Sequence, residues 1–441
     1  MNRFIFLSLI LSFIFISGRI CDVRAGDPHS AYYSRENDRL FWFIQITDLQ
    51  IGAQGNQDSD NLTWIVTEAR DIINPEFIVA TGDLTDSTNG RGDLDGLSDG
   101  PYPEEWAEYT GILSQAGIQD ADYYYDIPGN HDHYNDKNFT FYLNNSIQGQ
   151  TTGNTQVSWR RDFPFGSYHF IGICTAGNDG APFNLFDASY GDHAGLDKEE
   201  LDFIESRLAN NRDVDVTVIF GHHPLPMRRT NDPTDTYLTY GIVEFIQLME
   251  TYGVSMYANG HTHDTGKGLI ATDNSDGIFD LNVSPLGKDP GDYYQLIAID
   301  CNGISTERQT VGVWPVVLIT APMDMKLDAD YNPYAYSINE MNPKPIRALV
   351  FDRIPVTRVQ FRIDSGAWQS MAVSPTNPNL WEAFWDEPAL LDGEHILEVQ
   401  AEGSSNRVMQ ITIGDRMAFS SLGSKEDDGD SCFVDSLSYS G

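Results

Sequence analysis

The sequence predicts an α/β fold followed by a small all-β module. Between Leu40 and about Thr310, short apolar runs of strand length alternate with stretches whose apolar residues recur at helical spacing. From Val313 to Gly414 the helical spacing disappears and short alternating strands replace it. A third pattern marks where the chemistry lies, because five strands of the first part run directly into Asp, Asn, Gln or His.

The elements follow in order. Phe41 to Thr47 is nearly continuously apolar and reads as a buried strand. Leu62, Ile65, Val66, Ala69, Ile72 and Ile73 then fall at helical spacing. Strands are expected at 77–80 and 123–127, with a helix at 104–116 between them. Residues 159–175 read as a hairpin. Asp197 with Glu200 three positions on forms a capping box, opening a helix with Leu201, Ile204 and Leu208 on one face. A strand at 214–220, a helix at 242–252 and a strand at 254–258 follow. This alternation predicts a largely parallel sheet covered by helices, which the β-rich 273–310 stretch is expected to close. Farther on, Val359, Phe361 and Ile363 alternate with polar residues, as do Leu397, Val399 and Ala401 after an Asp392-Gly393 turn. An immunoglobulin- or fibronectin-like β-sandwich over 313–414 fits this spacing. The expected division is thus an α/β domain at 40–312, the sandwich at 313–414 and an acidic, unstructured tail at 415–441.

Composition narrows the function. The chain has 441 residues, 41% of them apolar, enough for a sizeable core. Its 65 acidic and 27 basic residues give a formal charge of −38. Such a chain repels phosphate backbones, so no nucleic-acid binding is expected. At the N-terminus, Arg3 precedes an apolar run from Phe4 to Ile16, and Val23-Arg24-Ala25 offers a small-residue cleavage site. Residues 1–25 therefore read as a signal peptide, and the chain as exported with no stable membrane span after leader removal. The residues before Cys21 make a poor lipobox. Cys174 and Cys301 lie in apolar runs and read as buried thiols, so disulfides do not organise the fold. Sequons at Asn61, Asn138, Asn144 and Asn282 matter only in a eukaryotic secretory pathway. Arg91-Gly92-Asp93 sits in a Gly/Asp-rich insertion, and Asp430-Ser431-Cys432-Phe433-Val434 faintly resembles C-terminal boxes of exported bacterial proteins.

The five strand ends carry Asp48-Leu49-Gln50, Gly82-Asp83, Gly129-Asn130-His131-Asp132-His133, Gly221-His222-His223 and Gly260-His261-Thr262-His263. In an open α/β sheet such ends converge on one crevice. Six of the ten histidines fall in three of these loops, a concentration that scattered core histidines would not show. Carboxylate, imidazole and amide donors suit Mn, Fe or Zn. Glycine before each group is expected to let the backbone turn sharply. His29, His169, His193 and His395 read as ordinary packed or surface histidines.

This series resembles the calcineurin-like metallophosphoesterase superfamily, whose pattern runs D-x-H, G-D, G-N-H-D/E, G-H, G-H-x-H. The resemblance covers about residues 40–310 and implies mixed sheets flanked by helices. It implies two divalent or trivalent metal ions. Asp48, Gln50, Asp83 and His263 would hold the first, and Asp83, Asn130, His222 and His261 the second. His131 would be the catalytic imidazole and Asp132 its orienting partner. Gln50 departs from the usual His; its neutral amide oxygen implies a weaker first site favouring Mn over Zn. His223 and His133 read as groups that support the ligands or face the substrate. The implied chemistry is attack on phosphorus by a metal-bridging hydroxide, with His131 assisting. Substrates would be phosphomonoesters or phosphodiesters: small molecules, nucleotides or lipid headgroups. Two other expectations are a nucleotide-diphosphate pyrophosphatase, suggested by Gln50, and a binding or adhesion protein on an inactive phosphoesterase fold. The order of parts is similar to that of membrane-anchored metallophosphoesterases with a C-terminal immunoglobulin-like domain.

Overall fold

A computed structural model describes residues 38–414, except 54, 89–99, 177–193, 226–237, 239, 271–276, 289–290, 329–330, 333, 336–343, 386–389 and 391–392. The leader, Cys21, His29, the Arg91-Gly92-Asp93 insertion, His193, Asp392 and the acidic tail with Cys432 lie outside the described residues.

The first part holds two mixed sheets. Strand β1 (Leu40–Ile46) pairs in parallel with β2 (Ile78–Thr81), and β2 with β3 (Tyr124–Ile127). On the other edge of β1 lie antiparallel β10 (Tyr293–Asp300) and β11 (Gly303–Thr310), giving the order β11-β10-β1-β2-β3. The second sheet runs β4-β5-β6-β7-β9-β8, from β4 (Val157–Phe163), β5 (Gly166–Gly172), β6 (Val216–Phe220), β7 (Met256–Asn259), β8 (Gly266–Ile270) and β9 (Ile278–Asn282). Its four middle strands are parallel.

Side-chain alternation explains the layers. In β1, Phe41 and Phe43 face the second sheet, where Phe77, Phe170 and Phe220 join them in one cluster. Ile44 and Ile46 face the other way, toward α1 (Gln57–Trp64), α2 (Arg70–Ile73) and α3 (Pro103–Gln115). A π turn at Ile65–Ala69 joins α1 to α2. The outer face of the second sheet packs Ile171, Ile219 and Tyr257 on α6 (Lys198–Asn210) and α7 (Ile242–Tyr252). The Asp197–Glu200 capping box opens α6 as expected.

The single, largely parallel sheet that periodicity suggests is therefore two mixed sheets, face to face. Strands buried on both faces read alike whichever neighbours they pair with. Two short helices, α4 (Thr140–Asn145) and α5 (Ile147–Thr152), have too few apolar residues to show a period. Tertiary contact holds α5: the buried Asp126 carboxylate accepts the Ile147 and Gln148 N–H groups at 2.8 Å each. Asn61 and Asn282 are buried and hydrogen-bonded inside the protein, which removes both sequons from the surface.

Beyond β11 the described elements are strands only. They form two antiparallel four-stranded sheets, β12-β13-β17-β16 and β15-β14-β18-β19. The first contains β12 (Val316–Ala321), β13 (Lys344–Phe351), β16 (Ala372–Val373) and β17 (Leu380–Trp385). The second contains β14 (Arg358–Ile363), β15 (Gln369–Ser370), β18 (Glu394–Glu402) and β19 (Asn406–Gly414). Val359, Phe361 and Ile363 stand opposite Ala401, Val399 and Leu397 in register. These sheets share one apolar cluster with the first α/β sheet. Trp42 meets Phe351 at 5.4 Å and Trp64 meets Trp314 at 5.5 Å between ring centroids. The Trp314 indole donates to Glu68 at 2.9 Å. Buried Arg347 of β13 lies 3.3 Å from the Asp300 carboxylate of β10 and donates to the Asp38 carbonyl at 2.8 Å.

Two results are expected from this junction. A chain ending at residue 312 would expose Trp42 and Trp64 and strand the Asp300 charge, so it should lose its cooperative urea transition. Arg347→Met should cost about 3 kcal/mol in the same measurement, because it leaves a buried carboxylate without its cation.

Candidate metal centre

The two sheets end at a common rim, and the loops after β1, β2, β3, β6 and β7 meet there. Backbone hydrogen bonds lock the loops together. Asp48 N–H donates to Gly82 O (3.1 Å), Gln50 N–H to Asp83 O (2.8 Å) and Gly260 N–H to His222 O (2.9 Å). Asp48, Gln50, Asp83, His261 and His263 all adopt left-handed backbone, with φ of 49°, 42°, 52°, 72° and 56°. Such residues cost about 1 kcal/mol or more each and persist only where the surroundings impose them.

Glycine's role differs from the sequence expectation. Gly82 does turn left-handed (φ 94°), but at Gly129 and Gly260 the need is room. A Cβ on Gly129 would lie 2.2 Å from Asp83 Oδ1, and one on Gly260 would lie 2.8 Å from Asp48 Oδ2. The sharp turns fall mostly on the donor residues themselves.

Asp83 lies at the middle. Its Oδ2 is 3.3 Å from His222 Nε2, 3.5 Å from Gln50 Nε2 and 3.7 Å from His131 Nε2. His222 Nδ1–H donates to the Thr81 carbonyl (2.9 Å), which turns Nε2 toward Asp83 and toward Asn130 Oδ1 at 3.0 Å. Asn130 Nδ2 donates to the Tyr134 hydroxyl at 3.0 Å, which turns its Oδ1 inward. His261 Nδ1 is 3.2 Å from His222 Nε2, and its N–H donates to Asp48 Oδ2 at 3.0 Å. His263 Nε2 is 3.5 Å from Asp48 Oδ1. All seven expected ligands are thus brought together around Asp83 and Asp48.

Electrostatics follow from this crowding. Burial pushes the Asp83 carboxyl up, but the His222 and His131 charges outweigh it and hold it well below the usual range. Asp48 is lowered in the same way, with burial opposed by His263 and His222. Burial alone would lower His222; Asp83 and Asp48 raise it to about 10.

Asp132 is placed differently from its expected role beside His131. It lies under the β2 loop, where it accepts N–H groups of Leu84 and Thr85 (3.1 Å each) and Gly129 (2.9 Å). Burial and the nearby Asp83 charge push it up to about 7 despite those donors. The group that orients His131 is Asp86. His131 Nδ1 contacts the Asp86 carbonyl, and the Asp86 carboxylate is 3.8 Å from the same nitrogen. Gln50 Nε2 donates toward His131 Nε2 at 3.0 Å, consistent with the proton on Nδ1. The sequence reading missed Asp86, although a second carboxylate three positions after Asp83 was a visible signal.

The donor set fits a cation. Asp48 Oδ1 and Gln50 Oε1 are buried and accept no well-formed hydrogen bond among the described residues; His263 Nε2, 3.5 Å away, is the ion-pair partner of Asp48 Oδ1. Two such oxygens, two residues apart and facing the Asp83 carboxylate, are costly unless a further positive centre takes them. Asp48, Asp83 and His222 bring ligating atoms within 4.8 Å of one another, as do His222, His223 and His261. Thr175 Oγ1 accepts the backbone N–H groups of His222 and His223 (3.2 and 3.0 Å) and lies 2.9 Å from His223 Nδ1, which holds that ring beside the expected ligands. His133 is buried with its ring 5.0 Å from Phe139. His169 is packed, and burial lowers it to about 4. His395 lies 2.8 Å from Asp364 at the surface of the C-terminal sheets. Cys174 and Cys301 are buried free thiols, as expected.

Comparison with known proteins adds the following. A family model described as calcineurin-like phosphoesterase matches residues 41–265. Transmembrane protein 62 of Mus musculus is 26% identical over 390 residues, covering 86% of this chain and 55% of that protein. An Arabidopsis thaliana protein whose name carries the word metallophosphoesterase is 25% identical over 412 residues, covering 80% and 52%. The chain therefore spans about half the length of the curated relatives it matches. A dimetal phosphatase structure from Danio rerio aligns with a TM-score of 0.45 at 15% identity, covering 62% of this chain and 98% of that one. Among the described residues no helix is long and apolar enough to cross a membrane.

Gly129→Ala tests the close packing at the centre. Its added methyl must displace Asp83, so Mn²⁺ affinity measured by calorimetry should fall at least tenfold. Gly111→Ala on α3, where the Cβ meets nothing closer than 4.0 Å, should leave that affinity as in wild type.

Proposed function

Because the chain belongs to the calcineurin-like phosphoesterase family, and is thus a metal-dependent phosphoesterase, we propose that it hydrolyses phosphomonoesters or phosphodiesters at the rim where Asp83 lies. Asp48, Gln50, Asp83 and His263 hold one ion in this reading, and Asp83, Asn130, His222 and His261 the other. The observation that carries it is the pair of buried oxygens, Asp48 Oδ1 and Gln50 Oε1, facing Asp83. When bound, two such ions polarise the phosphoryl oxygens and make a water nucleophilic near neutral pH.

The chain's own residues supply the rest. Asp83 is the carboxylate shared between the two donor sets. Thr81 fixes the His222 tautomer by accepting its Nδ1–H, and Tyr134 fixes the Asn130 amide. Asp86 holds the His131 ring so that Nε2 faces the site, where, with both ring nitrogens protonated, it donates to the phosphoryl group or hands a proton to the leaving alkoxide. Asp132 acts on the scaffold: it ties the β2 loop to the β3 loop and so keeps Asp83 and His131 in register. Gln50 offers a hard amide oxygen where the family commonly has an imidazole nitrogen, which makes the first site the weaker one and favours Mn²⁺. Export through residues 1–25 and an immunoglobulin-like fold for 313–414 belong to the same reading. The Arg3-led apolar run supports the first, and the two antiparallel four-stranded sheets support the second.

The test is hydrolysis of bis(p-nitrophenyl) phosphate and p-nitrophenyl phosphate by the Mn²⁺-loaded chain. Asp83→Asn and His131→Ala should each lower kcat at least about 100-fold, in the range of a lost general acid or positioning group, with the thermal transition retained. A chelator should abolish turnover and Mn²⁺ restore it. Unchanged rates in both variants would remove this assignment of the site.

A further inference from the structure

The site carries more acid than its expected ligands need. Asp86 and Asp132 are buried beside Asp48 and Asp83, yet neither belongs to the ligand set. Among the described residues, Lys288 is the lysine ion-paired with one of these four carboxylates, Asp86. Its Nζ lies 3.0 Å from Asp86 Oδ1, and its side chain remains 27% exposed. Its charge also reaches His263, where it opposes protonation of the ring. Lys288 is thus tied at its tip to the carboxylate that holds His131, and at its root to the loop that rests on the Asp48 turn.

The backbone delivers it there rigidly. Leu286 N–H donates to Thr47 O (2.9 Å) and Gly287 N–H to Asp48 O (3.0 Å). A Cβ on Gly287 would lie 1.7 Å from Leu49 O, so this loop rests backbone-to-backbone on the turn that carries Asp48. Asn61 braces it from behind, donating to Leu286 O at 2.8 Å. The root of Lys288 is thus fixed to the turn that carries Asp48, while its side chain stays partly exposed. Asp86 does not need that tip to hold its place. Its carboxylate also accepts from the Thr88 hydroxyl, its N–H donates to Ile51 O (3.0 Å) and its carbonyl contacts His131.

We propose that Lys288 determines specificity by binding a terminal oxygen of a dianionic phosphoryl group, favouring phosphomonoesters over phosphodiesters. The proposal rests on the reading of this rim as the phosphoesterase site. A monoester brings two negative charges and three terminal phosphoryl oxygens; a diester brings one charge and two. In the free protein the ammonium rests on Asp86, and the additional substrate oxygen draws it across the rim. An ammonium suits this task because it is a compact charge on a flexible stem with three donors.

The test uses the full Mn²⁺-loaded chain with Lys288→Met and Lys288→Arg. Lys288→Met should lower kcat/KM for p-nitrophenyl phosphate roughly ten times more than for bis(p-nitrophenyl) phosphate, through KM, which is the loss of one charge-assisted contact. Its affinity for inorganic phosphate, measured by calorimetry, should fall by a similar factor. Lys288→Arg should recover most of the ratio and melt with the wild type; Lys288→Met should melt lower, because the buried Asp86 carboxylate loses its cation, so rates and affinities are compared well below that transition. Equal losses for both esters with phosphate affinity intact would overturn the proposal and confine Lys288 to supporting Asp86 and His131. If the wild type turns over neither ester, the reading of the site fails, and the phosphate titration still judges Lys288. Equal phosphate affinity in wild type and Lys288→Met, or binding in neither, overturns it.

Discussion

The buried carboxylate of Asp83 is the constraint on which the site depends. It is 1% exposed, sits on left-handed backbone and is approached by His222, His131 and Gln50 within 3.7 Å. A charge in that position is tolerable only with positive partners around it. The imidazoles supply part of that compensation, and the oxygens of Asp48 and Gln50 are placed to take a further cation. Every other feature of the rim serves to hold this arrangement: Gly82 and Gly129 leave space for it, Thr81 fixes a tautomer, and Asp132 bolts two loops together.

Such a site needs a stiff frame. Five of the seven expected ligands sit in left-handed turns, which relax unless packing forbids it. The frame is the aromatic interior between the two sheets, where Phe43, Phe77, Phe170 and Phe220 interlock. The C-terminal sheets extend that frame. They meet the first sheet through Trp42, Trp64 and Trp314 and through the buried Arg347–Asp300 pair. A module joined this way acts as a buttress, since moving it would expose indoles and separate a buried ion pair.

Much of this was legible in the sequence. Strand and helix periods located most elements of the α/β part, and the Asp197–Glu200 box marked a helix start that the structure keeps. The strand-end groups Asp48, Asp83, Asn130, His222, His261 and His263 could be picked out because a strand's carboxyl end is a local property of the chain. What could not be read was pairing. Strands buried on both faces carry no record of their neighbours, so periodicity alone suggested one parallel sheet, and the mixed sheets were implied only by the motif resemblance. Helix α5 was invisible because a contact from Asp126 on another strand anchors it.

The division between sequence and tertiary structure is clearest among the site residues. The sequence by itself determined which groups exist, that they follow strands and that their chemistry suits a hard or borderline metal. Only the folded chain decided which group serves which. Asp132 is adjacent to His131 in sequence, yet its carboxylate faces the β2 loop, while Asp86, 45 positions away, holds the ring. Lys288 reaches the rim only because its loop lies on the turn after β1. The physical reason is that a side chain's direction depends on local φ and ψ. Its partner depends on how separate loops are clamped at the rim, and neighbours in sequence seldom share a facing direction there.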